Sequence, residues 1–190
     1  MQQQQHRAEQ ASAHQATPSR ECSVAHQALS ESHIGQGDLR ATPLQLAIAN
    51  AAIANGGKLM KPHFLKEVKE DKSIVRSGSI DILRSDFISQ DSLALVRSGM
   101  EMAIKDGTAC CSIKNQVPVS VAGKTGTAET SSEGFDGKNP RTKPHAWFES
   151  FAPIDSSRVA TVVMVENSGE GAEYAVPATR EVLKWYFQNR

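Results

Sequence analysis

No charge of either sign predominates in these 190 residues: 21 lysines and arginines balance 21 aspartates and glutamates. That balance offers no basic field to nucleic acid or to an anionic membrane surface. No apolar run reaches the ~20 residues that a bilayer span needs. The N-terminus lacks a cationic stretch followed by an apolar one, so it does not read as a signal peptide, and the chain shows no anchor of its own. Aromatic residues are scarce at 5%, and the first is Phe64. Three cysteines, Cys22, Cys110 and Cys111, are an odd number. Disulfide geometry disfavours pairing of adjacent residues. No second Cys or His pair stands at a ligand spacing, so the thiols read as reduced, with no metal and no cofactor expected.

The first 33 residues stand apart. They are rich in Gln, Ala, Ser and His and hold no aromatic residue. Such a segment buries too little apolar surface to offset its ordering entropy, and residues 1–33 are expected to be a disordered or foreign low-complexity tail. His6, His14, His26 and His33 are irregularly spaced and read as solvated rather than metal-binding.

From Ile34 onward, helix and strand signals appear. Thr42-Pro43-Leu44-Gln45 is a helix start, with Thr42 as N-cap, Pro43 at the first helical position and Gln45 closing a capping box. Leu44, Ala47, Ile48, Ala51 and Ala52 form the expected apolar face, and Asn55-Gly56-Gly57 ends the helix. A short strand is expected between Lys61 and Glu70. A second helix spans roughly Ser89 to Asp106, with Leu93, Val96, Met100 and Ala103 inward.

Val117, Val119 and Val121 alternate with Pro118, Ser120 and Ala122, which reads as a strand leading into Gly123. Residues 131–144 are loop-like. His145 to Ala152 reads as a strand, and Arg158 to Glu166 as a buried central one. A last helix covers about Tyr174 to Gln188, with Ala178, Val182, Trp185 and Tyr186 inward. The elements together predict an α+β fold, an antiparallel sheet packed with helices.

Ala122-Gly123-Lys124-Thr125-Gly126-Thr127-Ala128-Glu129 is the sharpest motif. A phosphate-binding loop would need Gly five residues before Gly123, and Pro118 stands there. The other reading is a K-T-G box. An ammonium and hydroxyls fixed on a strand edge hold the carboxylate of a peptide end or a β-lactam. A glycine lets the ligand approach the backbone, and a free N–H on the edge stabilises an oxyanion.

The surroundings of this box sharpen the reading. Ile34-Gly35-Gln36-Gly37 followed by Ala41-Thr42-Pro43-Leu44-Gln45-Leu46-Ala47, then Val121 to Ala128, then His145-Ala146-Trp147-Phe148 with Phe151-Ala152-Pro153, and finally Val162 to Asn167 resemble, in order, the segments of class B penicillin-binding proteins. The Ile34-Gly35-Gln36-Gly37 form resembles the elongation-type, PBP2-like branch, which serves cell shape. Glu129 and Ser168 depart from the family's usual Gln and Gly. The resemblance covers about residues 34–190 and implies the C-terminal portion of a transpeptidase domain. It implies peptidoglycan D,D-transpeptidase chemistry by serine acyl transfer, with a stem peptide or β-lactam as ligand and Lys124, Thr125, Gly126 and Thr127 as binding residues. It places the parent protein on the periplasmic face of the inner membrane. No nucleic acid partner is expected.

The family's nucleophile is the serine of S-x-x-K. Here no serine has Lys three residues on or Asn two residues on. No catalytic residue is therefore assigned, and the N-terminal part of the domain is the partner this portion is expected to need. Cys111-Ser112-Ile113-Lys114 is out of place and order for that role, and His145 reads as structural. The competing expectation is a non-catalytic remnant of a broken gene that binds ligand weakly at most.

Overall fold

The computed structural model describes residues 40–130, 135 and 137–189. The chain divides into two compact units, residues 1–40 and 41–190, and every element below belongs to the second. The expected tail, its four histidines, Cys22 and the Ile34–Gly37 segment lie outside the described residues.

Helix α1, Pro43–Ala54, starts as its sequence dictates. The Gln45 amide donates to Thr42 Oγ1, and the Thr42 amide donates back to Gln45 Oε1 at 2.8 Å. The helix ends where Gly56 and Gly57 take φ of 84° and 95°, a region that suits glycine. Its inward face differs from expectation. Leu44 is half exposed, and the residues fully buried are Asn50 and Ala52. Asn50 Nδ2 donates to the carbonyls of Ser150 and Thr161 at 2.8 and 3.2 Å, tying the helix to the sheet by a polar contact that apolar periodicity does not register.

After α1 come four short strands, β1 (Leu59–Met60), β2 (Glu67–Glu70), β3 (Ser73–Ser77) and β4 (Ile82–Arg84). They form two antiparallel pairs, β1 with β4 and β2 with β3. The β2–β3 turn runs through Asp71 and Lys72, both at positive φ. Only a piece of this region was expected from the sequence, because its strands are exposed and lack an inward face to set a pattern.

Helix α2, Gln90–Lys105, is capped by Ser89, whose Oγ accepts from the Ser92 amide. Leu93, Met100 and Ile104 are buried, whereas the expected Val96 is exposed and Ala103 only half-buried. The true stripe runs through Arg97. Arg97 Nη1 donates to the Ile53 and Ala54 carbonyls at 3.0 and 2.7 Å, and Nη2 donates to the Ile154 carbonyl. The guanidinium lies 4.9 Å over the Phe151 ring. One cation thus satisfies α1's last carbonyls and joins both helices to the sheet.

A short helix, α3 (Cys110–Ile113), precedes the main sheet. That sheet has order β5 (Ala122–Ala128), β6 (His145–Ala152), β7 (Val159–Val165), all antiparallel. The valines at 117, 119 and 121 do alternate in burial, but the ladder begins only at Ala122, opposite Phe151. In that register Pro153 stands opposite Ser120 and has no amide to donate, and the Ile154 amide goes to the Ser120 hydroxyl instead, so the ladder does not extend over the expected strand at residues 117–121. β6, not β7, is the central strand; β7 is an outer strand among the described residues and is half-buried throughout. Its continuous apolar character comes from helices on both faces rather than from strands on both edges.

Helix α4, Gly171–Gln188, begins a turn earlier than expected. Its buried residues are Gly171, Ala175, Val176, Thr179 and Leu183, while Val182 and Trp185 are 52% and 62% exposed and Ala178 is exposed. The sequence offers two apolar stripes about a quarter-turn apart. The smaller side chains face inward because they let the helix approach the sheet closely.

Side-chain alternation along β6 divides the core. Ala146, Phe148 and Ala152 pack with Ala175, Val176 and Leu183 of α4 and with Ile104, Ile113, Val117 and Val121. On the opposite face, Phe151 and Ala122 pack with Met100 of α2 and Ile53 of α1. This is the α+β architecture expected, with helices on both faces of a small antiparallel sheet.

Candidate functional site

β5 pairs with β6 alone, so among the described residues its other edge is unpaired. Alternate N–H and C=O groups along that edge point away from the ladder. Lys124, Thr125, Gly126 and Thr127 occupy its middle, opposite Glu149, Phe148, Trp147 and Ala146. Lys124 is exposed, and the other three are half-buried. The structure therefore brings all four expected binding residues together on one accessible strand edge.

Each side chain is held. Lys124 Nζ donates to the Thr125 carbonyl at 2.7 Å. Thr125 Oγ1 lies 2.9 Å from Thr108 Oγ1, in the turn between α2 and α3. Thr127 Oγ1 donates to Glu170 Oε2 at 2.9 Å. Glu170 immediately precedes α4, and the first residue of that helix, Gly171, is pressed against the backbone of Gly126 and Trp147. A Cβ at Gly171 would collide with the carbonyl oxygens of both. Glycine at that position is what lets the helix start reach β5.

The electrostatics have a second participant. Glu149 stands directly across from Lys124 on the same face of the sheet. Burial pushes its carboxyl above the ordinary carboxylate range, and the Lys124 ammonium opposes that rise. Glu149 forms no ion pair within 4 Å among the described residues, since Lys124 turns instead to its own strand.

Other candidates resolve structurally. His145 Nδ1 accepts from the Asn167 amide at 2.9 Å and fixes the turn after β7. Asn167 Nδ2 in turn donates to the carbonyls of Arg141 and Lys143. Lys114 donates to the Lys105 carbonyl at 2.7 Å and to Asp106, so it caps the end of α2. The sulfurs of Cys110 and Cys111 are 3.3 Å apart and unbridged, and the thiol contact from Cys111 pushes Cys110 up. Among the described residues no group of three or more His, Cys, Asp or Glu is placed to hold a metal, and no helix is long and apolar enough to cross a membrane.

Sequence reasoning did not single out Thr108, Glu149, Glu170 or Gly171. A signal existed for Glu149, a lone charge inside the otherwise uncharged strand HAWFESFA and in phase with Trp147. None existed for Thr108 and Glu170, which reach β5 only through the fold.

An open-edged β5 carrying Lys-Thr-Gly-Thr, flanked by helices and backed by an antiparallel partner, is the arrangement a K-T-G box implies. Comparison narrows it. Residues 8–184 match the family of the penicillin binding protein transpeptidase domain, and the chain belongs to that family, in its PBP2-like group. The match begins inside the stretch that composition sets apart. The peptidoglycan D,D-transpeptidase MrdA of Haemophilus influenzae is 31% identical over 167 residues, 83% of this chain and 25% of that protein. PbpA of Mycobacterium tuberculosis is 35% identical over 164 residues, covering 83% and 31%. Among solved structures, the ceftriaxone acyl-enzyme complex of penicillin-binding protein A from M. tuberculosis superposes with a TM-score of 0.68 at 33% identity, covering 81% of this chain and 34% of that one. PBP2 of Helicobacter pylori, solved in complex with MreC, gives 0.64 at 29% identity, covering 83% and 27%. The chain spans about a quarter to a third of the length of these relatives.

Proposed function

We propose that this chain is the K-T-G-bearing portion of a peptidoglycan D,D-transpeptidase domain, and that the β5 edge binds the carboxylate end of a stem peptide or a β-lactam. The observation that carries the reading is that Lys124, Thr125 and Thr127 lie along one unpaired strand edge, Lys124 toward one face of the sheet and both threonines toward the other. Lys124 supplies charge, the threonine hydroxyls and outward amides supply donors, and Gly126 keeps the edge low for a close approach. β-Lactam acyl-enzymes of M. tuberculosis penicillin-binding protein A support this ligand class.

Within the 190 residues no serine stands in S-x-x-K. Acyl transfer is therefore assigned to the domain with its nucleophile present, on the periplasmic face of the inner membrane, and this chain is a binding unit only. PBP2 of H. pylori is solved in complex with MreC, and a partner of that kind suits the domain proposed here. Titrating the isotope-labelled chain with N-acetyl-D-alanyl-D-alanine tests the binding claim. The Lys124–Thr127 amide resonances should shift, and Lys124→Ala should abolish the shift. A shift confined to another surface, or one indifferent to Lys124→Ala, would overturn the reading.

A further inference from the structure

We propose that Cys110 and Cys111 form a two-thiol binding site for a trivalent arsenical, a single thiophilic atom that both sulfurs ligate at once. The inference is independent of what β5 binds.

Successive residues of a helix point about 100° apart, so neighbouring side chains ordinarily diverge. These two converge: Cys110 Sγ and Cys111 Sγ are 3.3 Å apart. Both are free thiols, Cys111 exposed and Cys110 half-buried. The segment beneath them is fixed. Ala109 and Ile113, on either side of the pair, are buried in the core that also holds Val117 and Leu183. The Lys114 amide donates to the Cys110 carbonyl at 3.1 Å, and Arg180 Nη1 of α4 donates to the Ser112 carbonyl at 3.5 Å. The sulfurs are therefore presented at the surface as a preformed pair.

What such a pair can hold follows from its geometry. A direct disulfide is disfavoured, because Cα atoms joined by one trans peptide stand about 3.8 Å apart, below the ~4.4 Å at which ordinary disulfides begin. A one-atom bridge avoids that strain by leaving the sulfurs apart. Zinc would need two further ligands, and among the described residues no group of three or more His, Cys, Asp or Glu is placed to hold a metal. A linear two-coordinate soft cation sets its thiolates on opposite sides, further apart than this pair. Soft thiolates prefer soft centres, and trivalent arsenic is one whose three bonds point to one side, two for the sulfurs and one for a carbon substituent.

The step balances without an oxidant. An organoarsenic oxide, R–As=O, takes up both thiols. Two As–S bonds form, the arsenic–oxygen double bond breaks, and the two thiol protons leave with the oxygen as water. Arsenic stays trivalent and no sulfur is oxidised.

Phenylarsine oxide is the probe. The 190-residue chain, kept reduced by a phosphine, is loaded, challenged with excess glutathione and read by intact mass. One arsenical should remain per chain, a thiol titration should show two thiols consumed, and 2,3-dimercaptopropanol should strip it. Because the second sulfur binds within the same molecule, Cys111→Ser should weaken retention by at least about a hundredfold. Cys110→Ser should do the same, and Cys22→Ser should leave retention unchanged. If Cys110→Ser costs the chain its dispersed amide spectrum, Cys111→Ser, at an exposed position, decides alone. No arsenical held after the glutathione challenge would overturn the site. So would retention that survives Cys111→Ser, that falls with Cys22→Ser, or that consumes one thiol per arsenical.

Discussion

The β5–β6–β7 sheet and the excursion from Leu59 to Arg84 are both built of short antiparallel strands, yet they are held by different means. In the sheet, Phe148 and Phe151 are fully buried on opposite faces, each under a helix. In the excursion, Ile74 and Val75 are 58% and 55% exposed, Phe64 is 99% exposed, and the ladders rest on backbone hydrogen bonds and turn geometry. The difference teaches where this molecule keeps its stability. β5, the edge proposed to bind ligand, is carried by the well-packed part.

The largest effect that would break this comparison is a core deletion. Phe148→Ala should cost about 3–5 kcal/mol, a large share of a typical domain's ~5–15 kcal/mol, whereas Ile74→Ala in β3 should stay within about 0.5 kcal/mol. Urea unfolding followed by circular dichroism separates them. Equal costs would mean that the excursion is as tightly packed as the sheet. Next comes the cation that joins both helices to the sheet. Arg97→Ala strips donors from the Ile53, Ala54 and Ile154 carbonyls and should cost about 2–3 kcal/mol, and Arg97→Lys should recover only part, because an ammonium does not reproduce the guanidinium fork. Full recovery by Lys would contradict the geometry described.

Helix α4 sharpens the comparison within the sheet's own packing. Leu183→Ala should cost about 2–5 kcal/mol, while Trp185→Ala, the larger truncation, should cost under about 1 kcal/mol because that ring faces away from the sheet. The reverse order would restore the helix phase read from sequence.

Glu149 gives the smallest effect and a pH signature. Its carboxyl is raised in the folded state, so the fold holds that proton more tightly than the unfolded chain does. The favourable contribution is complete below the unfolded value and disappears as pH climbs through the folded value, leaving a half-buried carboxylate at neutrality. Glu149→Gln should therefore melt slightly higher than the parent at pH 7, and the two melting temperatures should converge in acid. A variant that melts lower at pH 7 would show that the Lys124 attraction outweighs burial.

What was legible in the sequence follows the same division. Thr42 and Gln45, Ser89, and the pattern of HAWFESFA announce their elements through local chemistry or burial, and the structure places those elements within a residue or two of expectation. The K-T-G residues were legible because one strand carries them all. Errors arose where two apolar stripes competed, as on α4, where a proline denied pairing, as at residues 117–121, and where exposed strands carry no alternation, as from Glu67 to Arg84. Asn50, Arg97 and Glu170 were illegible for a further reason. Their partners lie far along the chain, 111 residues from Asn50 to Thr161 and 43 from Thr127 to Glu170, and polar contacts of that reach leave no local trace.

The central claim is that β5 is a carboxylate-binding edge in a chain without its acylating serine. A benzylpenicillin titration followed by dialysis, read on the amide resonances of Lys124–Thr127, tests both halves at once. The account predicts shifts on those residues that grow with ligand and vanish on dialysis. Shifts that persist after dialysis would reveal a nucleophile in these 190 residues, and a β5 edge that never responds would remove it as the ligand site.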